Sequence, residues 1–174
     1  MWNKGLSYRE RHGLIETVMN TKLNDDVNST IDKAKYHHSL GLVFFPAFDW
    51  KISETHPERQ ERLLYTRDQI VEEGLLDIPN IREYNPIVAD WDTIERVHVG
   101  APNLESWVTE AHRVSAGGAI AAADAVMRGE VDRAFALVRP PGHHAMAMDH
   151  GIRGFCTINI EAVMIQHIRQ TYGI

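Results

Sequence analysis

One cysteine, Cys156, stands among 174 residues, which excludes an intrachain disulfide framework and fits a reducing compartment, so a cytoplasmic location is expected. Cationic residues are also in deficit. The chain has 18 Lys and Arg against 24 Asp and Glu, a formal net charge of −6. It lacks the basic stripe of a nucleic-acid footprint, and nucleic acid is not an expected partner. Long apolar runs are missing too. The stretch from Ala116 to Met127 is too short to cross a bilayer and Asp124 interrupts it, while the first residues lack the apolar segment of a signal peptide. No membrane association is therefore expected. No internal repeat, low-complexity tract or interdomain linker is evident. With 44% hydrophobic and 24% charged residues, the composition is that of a globular domain.

Residues 1–38 are polar, with one short helical stretch at Leu14–Met19, and read as an N-terminal extension of unknown role; residues 39–174 carry an α/β pattern. His37-His38 follows a charged run without a strand or turn and reads as a solvated pair. Gly41-Leu42-Val43-Phe44-Phe45, stopped by Pro46, predicts a buried parallel strand. Pro57 suits a first helical position, with Thr55 or His56 as cap and Glu58 and Glu61 at the positive end. Leu63, Arg67, Ile70 and Val71 recur at helical spacing as far as Gly74. A strand between Ile81 and Val88 is broken by Pro86, and Asp90 predicts the cap of a short helix through Val97, with a structural role for His98 after it. From Ser106 to Arg128 the small apolar residues share one helical face that Gly129 ends. Gly117-Gly118 would each cost an exposed helix about 1 kcal/mol relative to alanine, so another backbone is expected to approach there.

The stretch AFALVRPPGHHAMAMDHGIRGFCTIN, Ala134 to Asn159, carries the chemistry. Ala134-Phe135-Ala136-Leu137-Val138 reads as a buried strand, and the two prolines after Arg139 forbid further pairing because neither has an N–H. Gly142 then gives backbone freedom immediately before His143-His144. Two imidazoles at a strand's carboxyl end stand where open α/β sheets form ligand crevices, and histidine exchanges protons near neutral pH. The position suits proton transfer.

The run Arg139-Pro140-Pro141-Gly142-His143-His144-Ala145, followed by Gly154-Phe155-Cys156 and Asn159, resembles the zinc-dependent histone deacetylase and acetylpolyamine amidohydrolase family. His56-Pro57-Glu58-Arg59-Gln60-Glu61-Arg62-Leu63 resembles that family's early HPERPxRL segment, with Gln60 where proline is usual. The resemblance covers roughly Gly41 to the end. It implies a three-layer, arginase/deacetylase-like α/β fold with a mostly parallel sheet, of which this chain would be the N-terminal part. By the same resemblance His143 and His144 match the tandem catalytic histidines, and Gly154 and Phe155 the channel for an acylated side chain. Arg62 matches an arginine by the internal product cavity, and Cys156 reads as packing rather than as a nucleophile. Asn159 caps the next helix, which Gly173 ends, although Ile160 stands where the family has a second asparagine.

The implied activity is removal of an acetyl or related acyl group from an acylated lysine or polyamine, with which an acidic surface agrees. The implied cofactor is zinc, whose family ligands, an Asp-x-His strand end and a further aspartate, come later in the motif order than Ile174. Asp90-Trp91-Asp92 has no histidine two residues on and Asp149-His150 has the wrong spacing, so neither replaces them. The expected partner is accordingly the remaining half of the domain or a second copy, since a half-sheet leaves a strand edge uncovered, and the chain alone is expected to be inactive. The alternative is a non-catalytic remnant of the fold that binds another protein.

Overall fold

Strand β1, Leu40–Phe45, lies at the centre of a three-stranded sheet in a computed structural model that describes residues 38–101, 103–147 and 153–174. The readings at Leu14–Met19, His37 and Asp149-His150 fall outside the described residues. β1 pairs in parallel with β2, Ile81–Tyr84, on one side and with β3, Arg133–Val138, on the other. The β1–β3 register runs from Leu40 opposite Arg133 to Phe45 opposite Val138. The two strands therefore end together, and the backbone N–H of Arg139 donates to the Phe45 carbonyl at 3.2 Å. Pro46 and the Arg139-Pro140-Pro141 turn thus leave the same sheet edge side by side.

β3 is less buried than its composition predicts. It lies at the sheet edge and Phe135 is 53% exposed, because only β1 pairs with it among the described residues. β2 stops at Tyr84, two residues before Pro86.

Helix α1 covers Gln60–Glu72 and begins three residues later than Pro57 predicts. The turn before it is used differently. His56 Nδ1 accepts from the Glu58 backbone N–H at 3.0 Å, and the Glu58 side chain turns inward to Arg139, so Arg59 becomes an extended N-cap without a side-chain hydrogen bond. Gly74 ends the segment in the left-handed conformation, φ +68°. Helix α2, Trp91–Val97, is capped by Asp90, whose carboxylate accepts from the Thr93 N–H at 2.8 Å and its hydroxyl at 3.0 Å. Helix α3, Glu110–Met127, starts after a 3₁₀ turn at Leu104–Ser106 rather than at Ser106 itself. Thr109 and His112 form a reciprocal capping box, with histidine in the place usually held by Glu or Gln. Helix α4, Ile160–Tyr172, is capped by Asn159, which accepts from the Ala162 N–H at 2.9 Å.

α3 packs on β1, β3 and α4. Gly117 meets the approaching backbone: a Cβ there would lie 1.9 Å from the Ile87 carbonyl oxygen. At Gly118 it would lie 2.7 Å from Val138 Cγ1. Ile94, Leu104, Ala116, Ile120, Ile158 and Val163 form the main core between α2, α3 and α4, and Val43 with Ala121 and Ala122 seals the sheet against α3. No helix among the described residues is long and apolar enough to cross a membrane.

Candidate active site

Arg139 is the buried charge on which this end of the sheet is built, with none of its surface exposed. Nη1 donates to the carbonyls of Pro46 and Ala47 at 2.6 and 2.7 Å, and Nη2 donates to the Trp50 carbonyl and to Glu58 Oε2, each at 3.0 Å. Nε donates to the same carboxylate at 3.1 Å, and the Trp50 ring centroid lies 5.0 Å from Cζ. This pattern uses the whole guanidinium fork, which is what allows a charge to be buried at acceptable cost. Burial works to raise the Glu58 carboxyl, but hydrogen bonds from Arg139 and Arg62 outweigh it and hold it below the ordinary carboxylate range. Arg62, on α1, is the outer member of this triad; its Nη2 reaches Glu58 Oε1 at 2.7 Å and its side chain is about half exposed.

The two histidines follow on a turn fixed from several sides. The buried Ser115 hydroxyl on α3 donates to the Pro140 carbonyl at 2.7 Å. Gly142 is pressed against the α4 N-terminus: a Cβ there would lie 2.4 Å from the Ile158 carbonyl oxygen and 2.5 Å from the Ile160 nitrogen. Beyond this contact His143 and His144 stand exposed, with ring centroids 4.2 Å apart and planes inclined at 51°. Asn159 Nδ2 donates to the Ala145 carbonyl at 3.0 Å.

Gly154 and Phe155 form the tip of a tight turn in which Arg153 and Cys156 exchange two backbone hydrogen bonds of 3.1 Å. Gly154 takes φ +60°, a conformation that costs other residues energy. Phe155 lies edge-on to His56 at 5.0 Å between centroids, which joins this turn to the Pro46–Glu58 segment. Cys156 is fully buried, and burial raises its thiol pKa against the opposing hydrogen bond from the His144 backbone. A buried, protonated thiol agrees with its reading as packing.

The structure therefore joins the five residues singled out in the sequence through short links. Arg62 connects through Glu58 to Arg139, the histidine pair follows on the same strand exit, and His144 connects through Cys156 to the Gly154-Phe155 turn. Sequence reasoning gave Glu58 only a helix-end role and Arg139 none, and it missed Trp50 altogether. The one available signal was an arginine closing an apolar strand, where an unpaired charge would be costly. It also missed His112, whose Nδ1 accepts from the Thr109 N–H at 3.1 Å while the ring meets Trp50 edge-on at 5.5 Å. Burial lowers its pKa to about 4, so the ring is neutral at pH 7. Among the described residues no three His, Cys, Asp or Glu side chains gather as a metal site, so these residues do not fit a zinc ion.

Comparison with known proteins shows which chains this one is similar to. The histone deacetylase domain model matches residues 101–174. A probable deacetylase of Archaeoglobus fulgidus is 36% identical over 145 residues, 72% of this chain and 40% of that protein. The polyamine deacetylase HDAC10 of Mus musculus is 29% identical over 148 residues, 72% of this chain and 22% of that protein. The chain thus spans less than half the length of these relatives. The crystal structure of the HDA15 HD domain superposes with a TM-score of 0.63 at 24% identity, covering 78% of this chain and 44% of that one, and shares the fold. With the histidine turn and the parallel sheet in the same chain, these likenesses place it in the histone deacetylase and polyamine deacetylase family, of whose domain it carries a part.

Proposed function

We propose that this chain forms part of a hydrolase that removes an acetyl or related acyl group from an acylated lysine or polyamine. The observation that carries the reading is the pair of exposed imidazoles, 4.2 Å apart, on a turn held by buried contacts and linked to the Gly154-Phe155 tip. In amide hydrolysis, water adds to the acyl carbon, the C–N bond breaks, and one proton must leave the water while another reaches the departing amine. Two adjacent histidines suit that exchange. Phe155 offers an apolar wall for an aliphatic stem, and the net charge of −6 favours cationic substrates. Arg62, which pairs with Glu58, is assigned to the product end of the site by the family resemblance of its segment. Zinc supplies the polarising charge in this family, and its ligands, in this reading, lie outside the described residues.

The test is deacylation of an acetyl-lysine and an acetylpolyamine reporter by the complete assembly, this chain together with the remainder of the domain, with and without a chelator. Chelator-sensitive turnover that His144→Ala reduces by roughly two to four orders of magnitude would support the assignment. An inactive, metal-free protein that captures a defined partner would favour the non-catalytic binding reading instead.

A further inference from the structure

His98 closes helix α2 and is 4% exposed, yet both of its ring nitrogens bind backbone outside α2. Nδ1 lies 3.0 Å from the Met146 carbonyl oxygen, and Nε2 lies 3.0 Å from the Asn159 N–H, which donates to it. A carbonyl only accepts and an N–H only donates, so the pattern requires one form of the ring: neutral, with the proton on Nδ1. Met146 is two residues after the histidine pair, and Asn159 follows the Gly154-Phe155-Cys156 turn and caps α4. One imidazole therefore ties together the two segments that carry the candidate site. Asn159 reinforces the tie through Ala145, and Gly100 does so by donating to the Ala147 carbonyl at 3.3 Å.

We propose that His98 is a positioning residue, which sets the placement of the His143-His144 turn against the Gly154-Phe155 turn through its two backbone hydrogen bonds. An apolar residue of similar size would fill the same space without either bond. The inference rests on the proton-transfer role proposed for the histidine pair.

Two substitutions separate the ties. An asparagine amide reaches about as far as Nδ1 and keeps a donor for Met146, whereas a glutamine oxygen reaches about as far as Nε2 and keeps an acceptor for Asn159. In the purified, active protein, His98→Asn and His98→Gln are each expected to lower kcat roughly ten- to hundredfold with KM unchanged within about twofold, since small misplacements of reacting groups cost rate more than binding. Unchanged kcat in either variant overturns the proposal. If the complete assembly, this chain together with the remainder of the domain, shows no turnover, the deacylase reading fails by itself. The imidazole NMR shifts of His143 and His144 then decide the positioning: both substitutions should move them, and unmoved shifts overturn it. If neither variant folds, nitrogen-15 correlation spectra of the unsubstituted protein decide, because the Nδ1–H form of His98 at pH 7 is required and the Nε2–H or charged form overturns the proposal.

Discussion

Arg139 shows what a single buried charge requires of its surroundings. Its partners come from Pro46, Ala47, Trp50 and Glu58, so one guanidinium holds a 13-residue segment, residues 46–58, against the exit of β3. Removing one member of a buried pair leaves the other uncompensated. Glu58→Gln is expected to cost about 3–5 kcal/mol in urea unfolding, far more than an exposed ion pair would. A loss under about 1 kcal/mol would show that the backbone carbonyls alone sustain Arg139. His112 gives a second prediction at this scale. Burial lowers its folded-state pKa from 6.5 to about 4, so the neutral ring stabilises the fold fully above about pH 6.5, and that stability is lost as pH falls towards 4. His98 is shifted in the same direction, chiefly by burial. Between pH 7 and 5, before most carboxylates titrate, the His112 share of the loss is about 2 kcal/mol. His112→Gln should flatten that slope, and an unchanged slope would contradict the assignment.

At the scale of elements, local signals in the sequence were the reliable ones. Asp90 and Asn159 cap α2 and α4 through their own side chains, and Gly74, Gly129 and Gly173 end segments at positive φ, because these effects are settled within a few residues. The α1 start was misread for the opposite reason. Glu58 pairs with Arg139, 81 residues away, and no local pattern announces that. The same limit hid Trp50 and the two-sided use of His98. The glycine pair in α3 was legible as a demand for space but not in its detail. Gly117→Ala should destabilise by several kcal/mol, since the Ile87 carbonyl at 1.9 Å is backbone and cannot turn aside. At Gly118 the obstacle is the end of the Val138 side chain, and the gain in helix propensity of about 1 kcal/mol offsets part of the cost. Thermal melts of the two variants should rank Gly117→Ala clearly lower; equal melting temperatures would contradict the close approach.

For the molecule as a whole, the two edges of the sheet differ. β2 has four residues with Arg82 and Glu83 exposed, and Pro86 follows, all of which blunt an edge against pairing. β3 is longer, contains no proline and exposes Phe135. Beside it lies a hollow of about 400 Å³, lined by small and apolar side chains including Ala122, Val126, Ala136, Val138, Met164 and Ile168. An apolar hollow next to a strand whose outer edge is unpaired among the described residues favours association with further protein. Residues 38–174 expressed alone are therefore expected to associate reversibly, seen as a sedimentation coefficient that rises between roughly 5 and 100 μM. Ala136→Lys, which places a charge in the hollow, should return the species to a monomer, because a desolvated ammonium without a partner opposes burial there. A monomer at every concentration without the substitution would show that this face needs no cover, and that the β3 edge is guarded by means other than pairing.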